Sequence, residues 1–589
     1  MKIKLRKLNE QVDDIIERIL RLRGIPKEDI SKFLFPDESM KPDYRKLINI
    51  DRGVELLKLH IDKGNKIMII IDSDSDGFTS ASIMYQYLTK DLNYPKDRVS
   101  MYVHEGKKHG IPLNDVLDEM PDLVIVPDAG SSDYLEHREL YYNEIDTLVI
   151  DHHLAPKESE DAVVINNQLS SEFPWKALTG ANIVYLFCEA YSDKYNEGRS
   201  IEHYLDLSFI GMIADRADLR DLGSFYYYNK GSKKVYNPLI KHIIDNSRNI
   251  EKGKRLTAKD VGWSIAPFIN AIIRNGEHEK KKMVVDAMNG EEYMVYNKRL
   301  KDEFTVLEES LRAMTTARNR QSTKTKEAME LIEERISEKG SDKNQVILVN
   351  VTDIIDDSSL TGLVASRVAD KYKKPAMIMK YYEHDGNLAG SMRGFKNMPI
   401  ESFKDVLEET GLMNFVAGHD NAAGFSISLE NAMELVDALN ESLSDVEYDN
   451  LLHEVDVIYY EKPDAEEILK VAMHDELWGE GIEAPKVAVM DVVLNKEDIR
   501  FIGSKGNVWS LDLGSCQAIM FNLTEAQKVE LTGKSSDKIT VSLVGECSIN
   551  DYRGQKRPQV IIEDFSVEGI SEKEQDVSPW IHREDTLPF

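Results

Sequence analysis

A chain of 589 residues is too long for a single hydrophobic core, so two to four domains are expected. Hydrophobic residues make up 42% and charged residues 30%, and no uncharged run approaches membrane-spanning length, which points to a folded soluble protein and away from the membrane. The 104 acidic against 74 basic residues give a formal charge of -30. That argues against indiscriminate coating of nucleic acid but leaves open a nuclease with an acidic metal site.

The N-terminus is basic, with no apolar signal core behind it. Cys188, Cys516 and Cys547 are scattered, give no thiolate cluster and suit a reducing, cytoplasmic setting. Residues 12–22 carry apolar side chains at helical spacing, Gly24-Ile25-Pro26 breaks them, and 51–63 form another amphipathic helix. The apolar run 67–71 has strand length and ends in Asp72, Asp74 and Asp76, then Gly77 and a helical segment over 79–88. Three carboxylates at alternate positions after a buried strand repel one another, which is tolerable chiefly with a cation among them. The alternative is a polar loop that caps a helix. Further strands are predicted at 99–104, at 123–127 running into Asp128, at 147–150 running into Asp151-His152-His153, and at 162–166, with helices over 178–193 and 201–214. Buried strands alternating with helices predict a parallel sheet, whose sites form at the strands' carboxyl ends. Three of those ends deliver Asp.

Residues 235–340 read as largely helical, ending in one or two connector helices over 300–339 whose apolar spacing is no clean heptad. A second α/β unit starts at 346–351, with a helix over 361–371 and a glycine-rich turn at 418–424 before a strand at 425–429. From about residue 450, short strands separated by turns predict a small barrel of the oligonucleotide-binding type. The expected fold class is α/β: an N-terminal helical segment packed on the catalytic domain (1–60), a parallel-sheet catalytic domain (61–235), a helical region and connector (236–340), a second α/β domain (341–448), an OB-like β-barrel (449–575) and an acidic flexible tail (576–589).

The strand-end residues Asp74, Asp76, Asp128, Asp151, His152 and His153 are joined by Asp215, which closes the apolar run F-I-G-M-I-A-D. Each aspartate alone is a turn or cap. Together, carboxylates and imidazole suit Mn²⁺ or Mg²⁺, less strongly Zn²⁺ or Fe²⁺, and suffice for two ions sharing a carboxylate. Two ions roughly 3.5–4 Å apart hold a hydroxide for attack on phosphorus and neutralise the phosphoryl oxygens.

Over nearly its whole length the chain resembles the DHH phosphoesterase superfamily and, within it, the RecJ-like single-stranded-DNA-specific exonucleases. The family's Asp-x-Asp-x-Asp-Gly motif matches Asp72 to Gly77, its second motif matches Asp128-Ala129-Gly130, its Asp-His-His matches Asp151-His152-His153, and its fourth Asp matches Asp215. The stretches L-T-G-A-N at 178–182 and G-W-S-I-A-P-F-I-N-A at 262–271 resemble its L-S-G-x-G and G-W-x-I-x-P-R-I-N-A segments. T-G-L-V-A-S-R at 361–367, G-S-M-R at 390–393 and G-H-D-N-A-A-G at 418–424 resemble segments of its associated substrate-binding domain.

The resemblance implies two Mn²⁺ or Mg²⁺ ions held by Asp74, Asp76, Asp128, Asp151, His152 and Asp215, with Asp76 or Asp151 as the bridge and Asp72 in support. It implies a catalytic set of Asp76, Asp128, His152, His153 and Asp215. Substrate phosphate is expected at Arg367, Ser391, Arg393 and His419, with Arg274 nearby, and a bound strand at Asn550, Tyr552, Arg553, Lys556 and Arg557 in the barrel, where the alternative is a solvated hairpin. The implied activity is 5′-to-3′ hydrolysis of single-stranded DNA. Alternatives are an oligoribonucleotide or cyclic-dinucleotide phosphodiesterase, and a non-catalytic scaffold in a replication or repair assembly. Two departures stand out: Ile70-Ile71 replace the family's His-Gly, and Phe268 replaces an arginine. The ending Asp585-Thr586-Leu587-Pro588-Phe589 resembles the C-terminal peptide of bacterial single-stranded-DNA-binding proteins, and implies docking to host repair or replication proteins or to a site on the chain itself.

Overall fold

The computed structural model describes residues 1–569 except 107, 385, 397, 449–451, 534–536 and 553–554, and leaves aside the side chain of Tyr552. The apolar runs found in the sequence become five parallel strands, β1 (Ile67–Ile71), β2 (Val99–Val103), β3 (Leu123–Pro127), β4 (Asp146–Asp151) and β5 (Val163–Asn166), in the order β2-β1-β3-β4-β5. Strand direction of connection reverses between β1 and β3. That switch point opens a crevice at the carboxyl ends of the strands, where this class of sheet places its ligands. Alternate residues feed two cores: Ile67, Ile69 and Ile71 face one, Met68 and Ile70 the other.

On the first face pack helices α1 (Ser75–Gln86), α2 (Gly180–Tyr195) and α3 (Leu205–Ala214), mutually in contact and almost wholly buried. Next comes α4 (Ala266–Asn275), then a hairpin of Met294–Asn297 with Asp302–Thr305, where the sequence pattern suggested helix. Its strands are short and largely exposed, so neither carries a strong alternation.

The connector is one 34-residue helix, α5 (Val306–Lys339), started by a Thr305/Glu308 capping box and stopped by Gly340 at φ 66°. Its irregular apolar spacing has a cause. Val306, Met314 and Ala317 enter the core of the first lobe, whereas Ala328, Met329, Ile332 and Ile336 enter that of the second.

The second lobe is a mixed sheet of β6 (Ile347–Asn350), β7 (Ala376–Tyr382), β8 (Asn387–Arg393), β9 (Met413–His419) and β10 (Ala422–Ser428), ordered β9-β10-β8-β7-β6, with α6 (Thr361–Tyr372) against β7 and β8. Strand β9 was not legible because it is an exposed edge strand without apolar alternation.

The third lobe contains β11 (Lys486–Asn495), β12 (Arg500–Ile502), β13 (Val508–Asp512), β14 (Gln517–Met520), β15 (Lys538–Tyr552) and β16 (Gln555–Gly569), with Val457–Tyr460 added parallel to β11. Residues from all these strands but the exposed ends share one core, in which Trp509 meets Phe565 edge-on at 5.3 Å. The N-terminal segment is not purely helical. Lys2–Leu5 is a strand paired parallel with Leu452–Val455, and Arg23 makes a buried two-pronged bond to Asp456 at 2.7 and 2.8 Å. The first residues therefore touch the third lobe as well as the first.

Candidate metal centre

The loop after β1 places its three carboxylates differently. Asp74 is the N-cap of α1 and accepts from the Gly77 N–H at 2.9 Å, so the helix begins four residues earlier than its apolar pattern suggests. Asp76, in the first turn, is 2% exposed; its Oδ1 accepts from the Thr179 hydroxyl at 3.1 Å and the Ala181 N–H at 3.2 Å. A Cβ on Gly77 would lie 2.6 Å from Cβ of Asp72, so only glycine lets the loop fold back on itself.

Asp128 follows β3 in the left-handed region at φ 66° and is 1% exposed. Its two carboxylate oxygens have no hydrogen-bond partner, and neither has Oδ2 of Asp76. Buried acceptors left unpaired are costly, and here they face one another across the switch point. The Nε2 of His152 completes the group, 3.2 Å from Asp128, 3.6 Å from Asp215 and 4.0 Å from Asp76. Asp215 arrives as the C-cap of α3.

Two glycines make room for these acids. A side chain on Gly180 would collide with Asp128, and one on Gly211 with Asp76. Gly180 stands in the L-T-G-A-N stretch; Gly211 carried no signal of its own.

The electrostatics favour a cation. Burial, then the charge of Asp74, pushes Asp76 up to about 7; burial, then Asp76 and Asp74, pushes Asp215 up to about 8. Burial and the neighbouring carboxylates, Asp76 foremost, raise Asp128 well above the usual range. Burial, then His153, brings His152 down to about 4. Three groupings have ligand atoms all within 4.8 Å of one another: Asp76, His152 and Asp215; Asp72, Asp74 and Asp128; and Asp128, Asp151, His152 and His153. The unpaired oxygens of Asp128 and Asp76 fit a hard divalent cation.

Asp151 is already engaged. One oxygen accepts from the N–H groups of His152 and His153 and from the His153 ring at 2.8 Å, the other from the Ser131 N–H at 3.1 Å. Burial opposes ionisation of Asp151, but these partners, His153 above all, hold it well below the usual carboxylate range. The same bond raises His153 to about 9. Asp72 is held by His109, whose Nδ1 sits 2.7 and 3.0 Å from its oxygens. His109 lies in a loop far from every motif, and nothing in the sequence marked it.

In the second lobe, Ser391 bonds Thr361 at 3.0 Å, and Gly362 lets Arg393 lie close against α6. Arg393 pairs in register with Ala422, which is opposite His419. Burial lowers Arg274 and Arg393; the charge of Asp74 opposes the shift at Arg274, and the charge of Arg274 adds to it at Arg393. Arg367 is exposed on α6 and outside this group of contacts. In the third lobe, Asn550 bonds Gln517 at 3.0 Å and Arg557 bonds Asp512 at 2.9 Å, so both are tied within the sheet. Tyr552's side chain, Arg553 and the tail residues Asp585, Leu587, Pro588 and Phe589 lie outside the described residues. A groove of 810 Å³ lined by Ala214, Trp263, Asn270, Trp478 and Cys547 leads from beside Asp215 to β15, and its Trp263 is 72% exposed.

The DHH family, N-terminal domain, matches residues 66–212, and the RecJ OB domain matches 464–564. A putative SPbeta prophage-derived single-strand DNA-specific exonuclease YorK of Bacillus subtilis is 36% identical over 574 residues, covering 96% of this chain and 98% of its own. The chain belongs to the RecJ-like DHH family. The single-stranded-DNA-specific exonuclease RecJ of Bacillus subtilis is 26% identical, over 96% of this chain and 70% of its own. The crystal structure of Thermus thermophilus RecJ in complex with Mn²⁺ shares the fold, with a TM-score of 0.70 at 19% identity over 96% of this chain and 79% of that one. Against this DHH pattern, Ile70 is buried in the second core of the sheet. Phe268 carries a guanidinium after all: that of Arg318, from α5, lies 4.5 Å over its ring.

Proposed function

We propose that the chain is a metal-dependent exonuclease that hydrolyses phosphodiester bonds of single-stranded DNA from the 5′ end. The observation that carries the reading is the meeting of Asp76, Asp128, His152 and Asp215 around buried carboxylate oxygens that accept no hydrogen bond.

Asp76, His152 and Asp215 would hold one Mn²⁺ or Mg²⁺, and Asp72, Asp74 and Asp128 a second, neither oxygen of Asp128 accepting a hydrogen bond. Bound there, the cations acidify the attacking water and screen charge on the phosphoryl oxygens. Asp151 acts as a brace that fixes His152 and His153 through its hydrogen bonds. His153, on the cleft side and 58% exposed, donates to the scissile phosphate. Arg274 and Arg393 take the terminal phosphate from opposite lobes, and Ser391 and His419 border it. The OB domain receives the strand beyond, by way of Trp263.

The third lobe speaks against a phosphodiesterase confined to dinucleotides, and the intact acidic set against a scaffold. The last residues, 585–589, are a docking peptide for host repair or replication proteins; pull-downs with and without 587–589 test that. Among the described residues no helix is long and apolar enough to cross a membrane. Digestion of single-stranded oligonucleotides labelled at either end, with Mn²⁺, tests the activity. Release of mononucleotides from the 5′ end, abolished by Asp128→Ala, is expected; no digestion by the unaltered chain overturns it.

A further inference from the structure

The chain carries a strong negative charge, yet one groove away from the metal centre is basic. It has a volume of 820 Å³ and lies between the end of α4, the hairpin 294–305 and the first half of α5. Its lining carries Lys280, Lys298, Arg299, Arg312 and Arg320 against only two carboxylates, Glu277 and Glu309. Glu309 is already consumed: it is 4% exposed and bonds Lys280 at 3.0 Å, Arg312 at 3.2 Å and Asn297 at 2.9 Å. Lys298, Arg299 and Arg320 are exposed, and none makes an ion pair among the described residues.

Two further features give the groove its chemistry. Tyr296, 57% exposed, stands on the rim among the cations. The side-chain Nδ2 of Asn275 is buried without a partner and offers a donor. Alternation of cations with an exposed aromatic is what a single strand needs: phosphates are neutralised one by one, and any base stacks. The groove is lined by Ile272 and Asn275 of α4, the helix that also carries Arg274.

We propose that this groove is a second track for the sugar–phosphate backbone of single-stranded DNA, with Lys298, Arg299 and Arg320 on phosphates and Tyr296 under a base. The proposal rests on the single-strand reading above and adds where a longer strand is gripped.

The test uses the full chain carrying Asp128→Asn, so that binding is read without hydrolysis. Anisotropy of a labelled long oligothymidylate is followed across a salt series, with and without R299A and R320A together. Each lost phosphate contact flattens the salt slope by about 0.7, so the double variant is expected to flatten it by about 1.4 and to weaken binding roughly tenfold at moderate salt. Iodouracil-substituted strands are expected to crosslink at Tyr296. An independent variant, R320E, separates charge from folding, with thermal unfolding confirming that the fold is kept. Unchanged slope and affinity overturn the groove, as do crosslinks confined to the surroundings of Asp128. Failure of the exonuclease reading would show instead as undigested DNA with the unaltered chain, a separate measurement.

Discussion

The Nδ1 of His109 lies 2.7 Å from Oδ2 of Asp72, and that bond supplies an imidazole to the metal centre from a different place than the DHH pattern leads one to expect. Ile70 occupies the sequence position of the missing histidine, but its side chain is sealed in the sheet's second core. The loop carrying His109 therefore serves the same carboxylate cluster from outside the strand. His109→Ala is expected to lower Mn²⁺ affinity by about tenfold to a hundredfold, since a group that orients a ligand carries about that weight. Isothermal titration of the chelated protein with Mn²⁺ checks it, and unaltered affinity would remove His109 from the site.

Gly180→Ala places a methyl group against the carboxylate of Asp128. Alanine is ordinarily the better helix former by about 1 kcal/mol. Here overpacking wins: a loss of about 1–3 kcal/mol is expected, with Mn²⁺ binding reduced as Asp128 is displaced. Denaturant unfolding with and without Mn²⁺ distinguishes the two effects.

Without a cation, the centre should make the fold less stable as pH rises. Burial and the neighbouring acids lift Asp76 to about 7 and Asp215 to about 8, far above their value in an unfolded chain. The folded protein thus keeps protons that the unfolded chain has released, and stability present at low pH is lost as pH climbs through 7 and 8. His153, raised to about 9 by its bond to Asp151, contributes in the same direction as pH passes 9. Melting temperature in chelator is expected to fall across this range and to recover with Mn²⁺; a melting temperature that rises with pH in chelator contradicts the assignment.

Arg23 and Asp456 are 5% and 2% exposed and bond through two contacts, tying the N-terminal helices to the third lobe. Asp456→Ala takes the carboxylate from the two terminal nitrogens of a buried guanidinium, leaving only Glu483 on its Nε, and is expected to cost about 3–5 kcal/mol. Chemical denaturation measures it. A loss within experimental error would mean that water reaches Arg23.

The parallel sheet and the residues of the metal centre were legible because strand β1 and its companions are continuous apolar runs that end abruptly in aspartate. The roles were less so. Asp151 is a ligand candidate by its motif, and only the folded chain shows that its oxygens also accept from His152, His153 and Ser131. His109 and Gly211 act through tertiary proximity, which leaves no trace in spacing. The edge strand β9 is exposed and carries no alternation, whereas Lys2–Leu5 and the strands of the hairpin 294–305 have four residues each, too few for any alternation to mark a strand. Arg318 over Phe268 was illegible for another reason: the two belong to different helices.

The 34 residues of α5 also act as a ruler. At 1.5 Å per residue it is about 51 Å long, and each added residue turns whatever follows by about 100°. One alanine inserted midway, near Arg320, would leave both ends' local packing intact in kind yet swing the β8 arginine away from its counterpart on α4. The phase of a single helix thus decides whether the two halves of the proposed phosphate grip ever point at the same spot.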